Sequence, residues 1–222
     1  MCGRYTQFAS WQEIHEYFDL LGPPRNIQAR YNIAPTQDAP VIRLTERGRE
    51  LSMLRWGLVP FWAKDEKIGY RTINARSESV AEKPSFREAY KKRRCLIPAT
   101  GFYEWQKAPS GKTPYHIVPN DGLWAFAGLW ERWEKGDEPL ETFTILTTEA
   151  ANSIAQIHPR MPTILEPGDY DAWLATETDR TQLAVLARKR FPDGKMRAYP
   201  VSTRVNTPKN DEVELIEEVE AP

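Results

Sequence analysis

The stretch CLIPATGFYEWQKAPSGKTPYHIV, residues 95–118, decides the fold. Short runs of apolar and β-branched residues alternate in it with Gly, Pro and Ser, which is typical of strands joined by tight turns. A turn is predicted at residues 109–112. The strands predicted from this stretch and from the sequence that follows it are 95–97, 102–106, 115–118, 123–130 and 143–147. Consecutive short strands usually pair antiparallel, so a mostly antiparallel sheet is expected.

Upstream of this stretch, the sequence predicts one helix and one hairpin. Ser10 and Glu13 form a capping-box pattern, and Gly22 with the two prolines after it is predicted to end the helix. The apolar face of this helix is expected to consist of Trp11, Ile14, Phe18 and Leu21. Residues 41–58 alternate as two strands around a polar turn, which predicts the hairpin.

Three further helices are predicted at residues 84–94, 169–175 and 181–190. No repeat or low-complexity linker divides the chain. We therefore predict a single α+β domain with a curved, mostly antiparallel, barrel-like sheet and flanking helices. The domain is expected to span residues 1–210, and residues 211–222 are predicted to be an acidic C-terminal tail.

Composition narrows the class of protein. The 222 residues include only two cysteines and carry a formal charge of −1. Such a charge disfavours nucleic-acid binding by bulk electrostatics but allows local basic contacts. No apolar run approaches the ~18 residues of a membrane span, and no signal peptide precedes Cys2, so a soluble, cytoplasmic protein is expected. Two distant cysteines and three scattered histidines give no metal-ligand spacing, and no cofactor motif is found.

Cys2 is the residue with the most distinctive chemistry. Removal of Met1, expected because a small side chain follows it, exposes a thiol and an α-amine on adjacent carbons. Their ordinary pKa values are ~8.5 and ~7.7–8.0, so both nucleophiles are partly available near neutrality. Such a 1,2-aminothiol condenses with an aldehyde to a Schiff base and then closes to a stable thiazolidine. Taken alone, however, a cysteine is more often an inert small hydrophobic residue.

Four polar segments in apolar surroundings make a functional role for Cys2 the better interpretation. Burying polar groups costs free energy, so their presence there needs a structural or functional explanation. The segments are YNIAPT at 31–36, INARSE at 73–78, PATGFYEW at 98–105 and IHPRMP at 157–162. Together with the Cys2-Gly3-Arg4 start and the residues near 199–206, they closely resemble the SOS-response-associated peptidase (SRAP) family. Members of that family capture abasic sites in single-stranded DNA. The resemblance covers nearly the whole chain.

Three side chains are predicted to act on the sugar beside Cys2. Apolar neighbours are expected to raise the pKa of Glu104, which suits a proton shuttle. The resemblance assigns His158 acid–base work on the sugar, and Asn74 can orient the α-amine because it both donates and accepts hydrogen bonds. Each of the three also has a simpler interpretation. Glu104 would be an exposed residue on a strand, His158 a packed or surface residue, and Asn74 a turn or helix-capping residue.

DNA is predicted to be held by a few local contacts. The candidates for phosphates are Arg4, Arg76 and Arg160, and those for stacking on bases are Trp62, Phe61 and Trp105. The alternatives are salt bridges, for example with Glu78, and ordinary core packing. Core packing is the interpretation we adopt for Trp56 and Trp130.

The resulting hypothesis is a protein that senses abasic sites in single-stranded DNA and shields them as a thiazolidine crosslink through Cys2, without metal or cofactor. A rival is an N-terminal-nucleophile cysteine peptidase or amidohydrolase, whose minimal reaction is removal of its own Met1. A third interpretation, a non-enzymatic single-strand binder, leaves Cys2, Glu104 and His158 without a role.

Overall fold

A computed structural model of the protein describes residues 2–108 and 111–220, and it consists of two β-sheets with short helices around them. The strands are β1 (Tyr5–Gln7), β2 (Arg30–Ile33), β3 (Asp38–Thr45), β4 (Gly48–Trp56), β5 (Asn74–Arg76), β6 (Arg94–Ala99), β7 (Gly101–Ala108), β8 (Gly111–Pro119), β9 (Trp124–Trp133), β10 (Leu140–Glu149), β11 (Arg160–Pro162), β12 (Ile164–Leu165) and β13 (Met196–Pro200). The α-helices are α1 (Trp11–Phe18), α2 (Arg87–Lys92), α3 (Tyr170–Leu174) and α4 (Arg180–Ala187). Short 3-10 helices cover Glu66–Arg71, Pro167–Asp169, Thr203–Asn206 and Val213–Ile216.

The larger sheet closes on itself. Its strand order is β11-β10-β4-β3-β6-β9-β12, and β9 also pairs with β10, so β10, β4, β3, β6 and β9 form a ring. The smaller sheet has the order β13-β8-β7-β1-β2. All described pairings between strands are antiparallel except those of β10 with β4 and with β5. The predicted single α+β domain with a barrel-like, mostly antiparallel sheet is confirmed.

The strands predicted from the deciding stretch are also confirmed, in β6 to β10. The hairpin predicted at residues 41–58 is formed by β3 and β4, which turn where Thr45 faces Gly48. The turn predicted at 109–112 lies partly outside the described residues. Because β7 and β8 pair from Phe102–Ile117 to Ala108–Gly111, the segment that carries Glu104 has a fixed register in the smaller sheet.

Helix α1 has the predicted capping box, with Ser10 and Glu13 bonded reciprocally, but it ends earlier than predicted. Asp19 adopts a left-handed conformation with φ 50°, which its short polar side chain tolerates, and the chain turns there. Leu20 is consequently buried, whereas Leu21 is 46% exposed. The assignment of Leu21 to the apolar helix face is therefore wrong.

The core contains several tryptophans, as the composition suggests. Trp56 is fully buried and contacts Tyr5 edge-on at 5.3 Å between ring centroids. Trp130 is only partly buried, and the guanidinium of Arg43 lies over its ring at 4.5 Å. The core interpretation therefore holds for Trp56 and only in part for Trp130. No helix among the described residues is long and apolar enough to cross a membrane.

The acidic segment after residue 210 packs on the domain and does not project as a tail in its described part, up to residue 220. The carboxylate of Asp211 accepts hydrogen bonds from the backbone N–H groups of Tyr31 and Asn32, at 2.6 and 2.8 Å. Leu215 is fully buried in a small cluster with Tyr103. These contacts satisfy backbone donors of β2 and bury an apolar side chain, which outweighs the segment's negative charge. The domain boundary at residue 210 stays a prediction.

Candidate active site

Cys2 lies three residues before the start of β1 and is fully buried. Strand β1 pairs with β2 and β7, which directs the residues before it into the core between the two sheets. The carbonyl oxygen of Cys2 accepts a hydrogen bond of 2.7 Å from Nδ2 of Asn74. The chain start is therefore held at a defined place beside β5.

Burial, and then the charge of Glu104, raises the pKa of the Cys2 thiol far above its usual range. The thiol donates a weak hydrogen bond to the carbonyl oxygen of Arg4, at 3.7 Å. Cys2 is therefore a protonated thiol at neutral pH, and it needs a nearby base before it can act as a nucleophile.

Glu104 on β7 is a charged residue in an almost fully buried position, 3% exposed. Burial raises the pKa of its carboxyl group, and the nearby His158 acts in the opposite direction. Its Oε1 atom lies 3.8 Å from Nδ1 of His158. The structure thus brings Cys2, Asn74, Glu104 and His158 into one cluster, in which the raised pKa of the carboxyl group favours exchange of its proton.

The ring of His158 is oriented by its own loop. The backbone N–H of Arg160 donates to Nδ1 of His158 at 3.0 Å. When Nδ1 accepts this bond, the neutral ring carries its proton on Nε2. The backbone of its own loop therefore orients the ring of His158, with Nδ1 on the side of Glu104.

Asn74 contributes a second polar atom to the cluster. Strand β5 pairs in parallel with β10, and this places Asn74 opposite Ile145. While Nδ2 holds Cys2, the Oδ1 atom of Asn74 is buried and receives no hydrogen bond from any residue that the structure describes. A buried acceptor of this kind is costly unless a ligand or an amine satisfies it.

The three arginines are placed differently. The guanidinium of Arg4 donates to Oδ1 of Asn32 at 3.0 Å and to the carbonyl oxygens of Val205 and Asn206 at 2.6 and 3.2 Å. Arg160 forms a bidentate ion pair with Glu78. Arg76 is exposed and makes no ion pair with another described residue.

The aromatic candidates also differ. Trp62 and Phe61 are 41% and 48% exposed, which is unusual for such large apolar side chains. The indole N–H of Trp62 donates to the carbonyl oxygen of Pro84 at 3.2 Å, so the exposed ring has a fixed attachment. Trp105 is partly buried, and its indole N–H donates to Oδ1 of Asn206 at 2.7 Å.

Sequence reasoning missed how the segment 203–211 supports this region. The side-chain amide of Asn32 donates to the carbonyl oxygens of Val205, Thr207 and Asn210. Asn32 therefore secures the same segment that Arg4 contacts. In the sequence, Asn32 is visible only as a polar side chain inside the YNIAPT stretch, and its partners cannot be identified from the sequence.

His116, a fully buried histidine, lies outside the cluster. His116 on β8 is fully buried between Thr6 and Tyr199, and burial lowers its pKa to about 3. It stays neutral in the physiological range. Among the described residues, no three His, Cys, Asp or Glu side chains are grouped as metal ligands.

Comparison with known proteins assigns the family. The family model described as SOS response associated peptidase (SRAP) matches residues 1–208. The chain belongs to the SRAP family. It is 45% identical to the abasic site processing protein YoqW of Bacillus subtilis, over 98% of this chain and 99% of that protein. It is 34% identical to the abasic site processing protein HMCES of Gallus gallus, over 86% of this chain and 66% of that protein.

The SRAP fold is also found in a solved structure. A crystal structure of a protein from Bacteroides thetaiotaomicron superposes with a TM-score of 0.89 at 27% identity, covering 99% of this chain and 100% of that one. The likeness in fold therefore extends over both sheets.

Proposed function

We propose that this SRAP protein captures abasic sites in single-stranded DNA as a thiazolidine formed by Cys2 after removal of Met1. The observation that carries the proposal is the cluster of a buried N-terminal cysteine with Asn74, Glu104 and His158. The relatives named abasic site processing proteins support this substrate class. The product would shield the lesion from other reactions.

The first step is condensation of the amine with the ring-opened sugar. His158 donates and accepts protons as the hemiacetal opens to the aldehyde, and the Cys2 amine adds to the carbonyl carbon. Loss of water from this adduct gives the Schiff base, with Glu104 as the proton donor to the leaving hydroxyl group. Oδ1 of Asn74 accepts a hydrogen bond from the amine and directs its lone pair.

The second step closes the ring. The Cys2 sulfur adds to the imine carbon, and its proton passes through Glu104 to the nitrogen, so no oxidant or reductant is needed. Since the thiol is protonated and buried, this step depends on a base within the site. The raised pKa of Glu104 makes it an effective carrier of that proton.

DNA would reach the site along the exposed side chains around it. Arg76, two residues after Asn74 on β5, would contact a phosphate, and the exposed rings of Trp62 and Phe61 would stack on bases. Arg160 can join them once it is released from Glu78. Arg4 and Trp105 are bonded to the segment 203–211, so they support the site and present only their remaining surface to DNA.

The test is to mix the purified protein with abasic or intact single-stranded oligonucleotides and to resolve the products on a denaturing gel. We expect a heat-stable band of slower mobility with abasic DNA only. The proposal would be contradicted if neither oligonucleotide gave a slower band on the denaturing gel while the protein retarded both on a native gel. That result would indicate a non-covalent single-strand binder.

Removal of Met1 by the protein itself is a second candidate reaction. It is favoured by the position of Glu104, whose charge acts directly on the Cys2 thiol and could assist attack on the preceding carbonyl group. If the reaction is autocatalytic, Glu104→Gln protein made in a cell-free system without aminopeptidase should keep Met1, and the wild type should lose it. Equal retention in both proteins would assign the removal to an aminopeptidase.

A further inference from the structure

The guanidinium of Arg160 is already occupied by a carboxylate. Nη1 donates to Oε1 of Glu78 at 2.5 Å, and Nη2 donates to Oε2 at 3.0 Å, which is the two-bond geometry that arginine also uses for phosphate. Nη2 donates in addition to the carbonyl oxygen of Thr147 at 2.5 Å. The orientation of the guanidinium is therefore fixed by strand β10 as well as by Glu78.

The other edge of the same guanidinium is closed. The Nε atom of Arg160 is buried, and no residue that the structure describes accepts its hydrogen. A phosphate cannot reach the edge that contains Nε without displacing protein. The edge formed by Nη1 and Nη2 is the one that faces outward, and Glu78 occupies it.

The two partners differ in exposure. The side chain of Arg160 is 17% exposed, whereas that of Glu78 is 48% exposed. Glu78 can therefore rotate into solvent while Arg160 stays anchored by Thr147. A phosphate that offers the same two oxygens can replace the carboxylate, because the guanidinium then keeps both of its charge-assisted hydrogen bonds.

We propose that Glu78 is a placeholder for a DNA phosphate: its carboxylate occupies the phosphate-binding edge of Arg160 until a DNA strand enters the site and displaces it. This inference rests on the proposed function for its substrate. The hydrogen bonds from Arg160 hold the pKa of Glu78 below its usual range, so the placeholder remains charged at neutral pH. Each binding event exchanges one charged partner for another, which keeps the affinity for undamaged strands low and leaves selection to the chemistry at Cys2.

The competing interpretation is that Glu78 only positions Arg160 for phosphate binding. The two interpretations predict opposite signs. A placeholder competes with DNA, so its removal strengthens binding; a positioning residue helps DNA, so its removal weakens binding.

The deciding variant is Glu78→Gln, which keeps the shape and one acceptor oxygen but removes the charge. Binding is measured with an intact single-stranded oligonucleotide, so that no crosslink contributes. We expect about fivefold tighter binding at low salt, the scale of an exposed charge pair. The salt dependence should steepen by about 0.7 in log–log slope, because Glu78 no longer takes up a counterion when it is displaced.

Two controls sharpen the result. Asp171→Asn removes the same charge from a similar pair, since Asp171 is 86% exposed and bonds at 2.5 Å to Arg49, which is 15% exposed. That variant should bind DNA as the wild type does. In an Arg160→Ala background, Glu78→Gln should have no effect, because the carboxylate acts through this one guanidinium.

Unchanged or weaker binding by Glu78→Gln would overturn the inference, as would the absence of strand binding by both proteins. Crosslinking of an abasic strand, measured in parallel, reports on the proposed function separately. Wild-type crosslinking combined with unchanged Glu78→Gln affinity rejects the placeholder alone. Tighter binding by the variant without any crosslinking rejects the chemistry at Cys2 alone.

Discussion

Cys2 and Cys95 carry the same side chain at the same burial, but among the described residues a carboxyl group acts on the thiol of Cys2 and an arginine acts on that of Cys95. Both are fully buried, and burial is the main cause that raises the pKa of each thiol. Beside Cys2 lie Glu104 and Asn74, whereas the charge of Arg43 acts on Cys95 and opposes the effect of burial on its pKa. Neither thiol is activated by its own acidity, so the difference must come from the amine and from the acid–base partners.

The largest difference between the two cysteines is expected on substitution. Cys2→Ala should abolish the heat-stable adduct with abasic DNA, because an amine alone gives only a reversible imine. Cys95→Ala should keep the adduct and lose about 1 kcal/mol of stability from a small cavity in the core. Denaturing gels and thermal melts measure both effects. An equal yield of stable adduct from Cys2→Ala would move the chemistry to a lysine.

The next largest effect is expected on the crosslinking rate when Glu104, the proposed proton carrier beside Cys2, is changed. Glu104→Gln keeps the size of the side chain but removes its titrating proton, and it should slow crosslinking by ~10²–10⁴-fold. The same product should still form, since Cys2 is intact. Single-turnover rates measure this loss, and a wild-type rate for the variant would remove Glu104 from the mechanism.

His158 is expected to serve a different step from Glu104. His158→Ala should impair opening of the sugar ring and, by microscopic reversibility, slow release of DNA from the adduct. An oligonucleotide with a preformed linear aldehyde bypasses ring opening, so His158→Ala should recover much of its rate on it and Glu104→Gln should not. Equal deficits of both variants on both substrates would reject this division of labour.

A smaller effect on DNA binding and stability is expected to distinguish the exposed Arg76 from Arg4, whose guanidinium is hydrogen-bonded within the protein. Arg76→Ala should weaken binding of single strands and reduce the salt slope by about 0.7, with an unchanged melting temperature. Arg4→Ala should instead lower stability by about 1–3 kcal/mol, since the buried Oδ1 atom of Asn32 loses its donor and the carbonyl oxygen of Val205 loses one of two. Titrations across salt concentrations and thermal melts distinguish them. A stable Arg4→Ala protein with a lost phosphate contact would reverse the assignment.

The smallest effect is a dependence of stability on pH at Glu104. The carboxyl pKa is raised in the folded protein by burial, so folding favours the protonated form and the native state loses stability as pH rises through that value. Glu104→Gln should therefore melt like the wild type at low pH and higher at neutral pH. For a chain of this size, each kcal/mol of stability gained raises the melting temperature by about 2–4 °C. A lower melting temperature at neutral pH would show that charged Glu104 stabilises the fold.

The sequence predicts the strands well because their apolar alternation and turn residues are local signals. It does not show where α1 ends, since Asp19 terminates the helix through its own backbone conformation and not through the glycine and prolines that follow. The acidic residues after 210 suggest a tail, and only the burial of Leu215 shows that the segment packs.

The sequence predicts which residues form the candidate site, but it does not predict which residues the arginines around it contact. Residue types together with the resemblance to the SRAP family point to Cys2, Asn74, Glu104 and His158, and the structure brings these four together. The partners of the arginines lie far away in sequence: Arg4 bonds Val205, 201 residues on, and Arg160 bonds Glu78, 82 residues back. Which arginine is engaged and which is exposed depends on these long-range contacts, which spacing does not encode.

The most direct test of the central claim is the mass of the intact adduct, formed with an abasic strand and treated with borohydride after denaturation. The account predicts a protein without Met1, joined to one strand with loss of one water, and no uptake of hydrogen, because a thiazolidine is not reduced as an imine is. An adduct that gains two hydrogens, retains Met1 or maps to a lysine would contradict it.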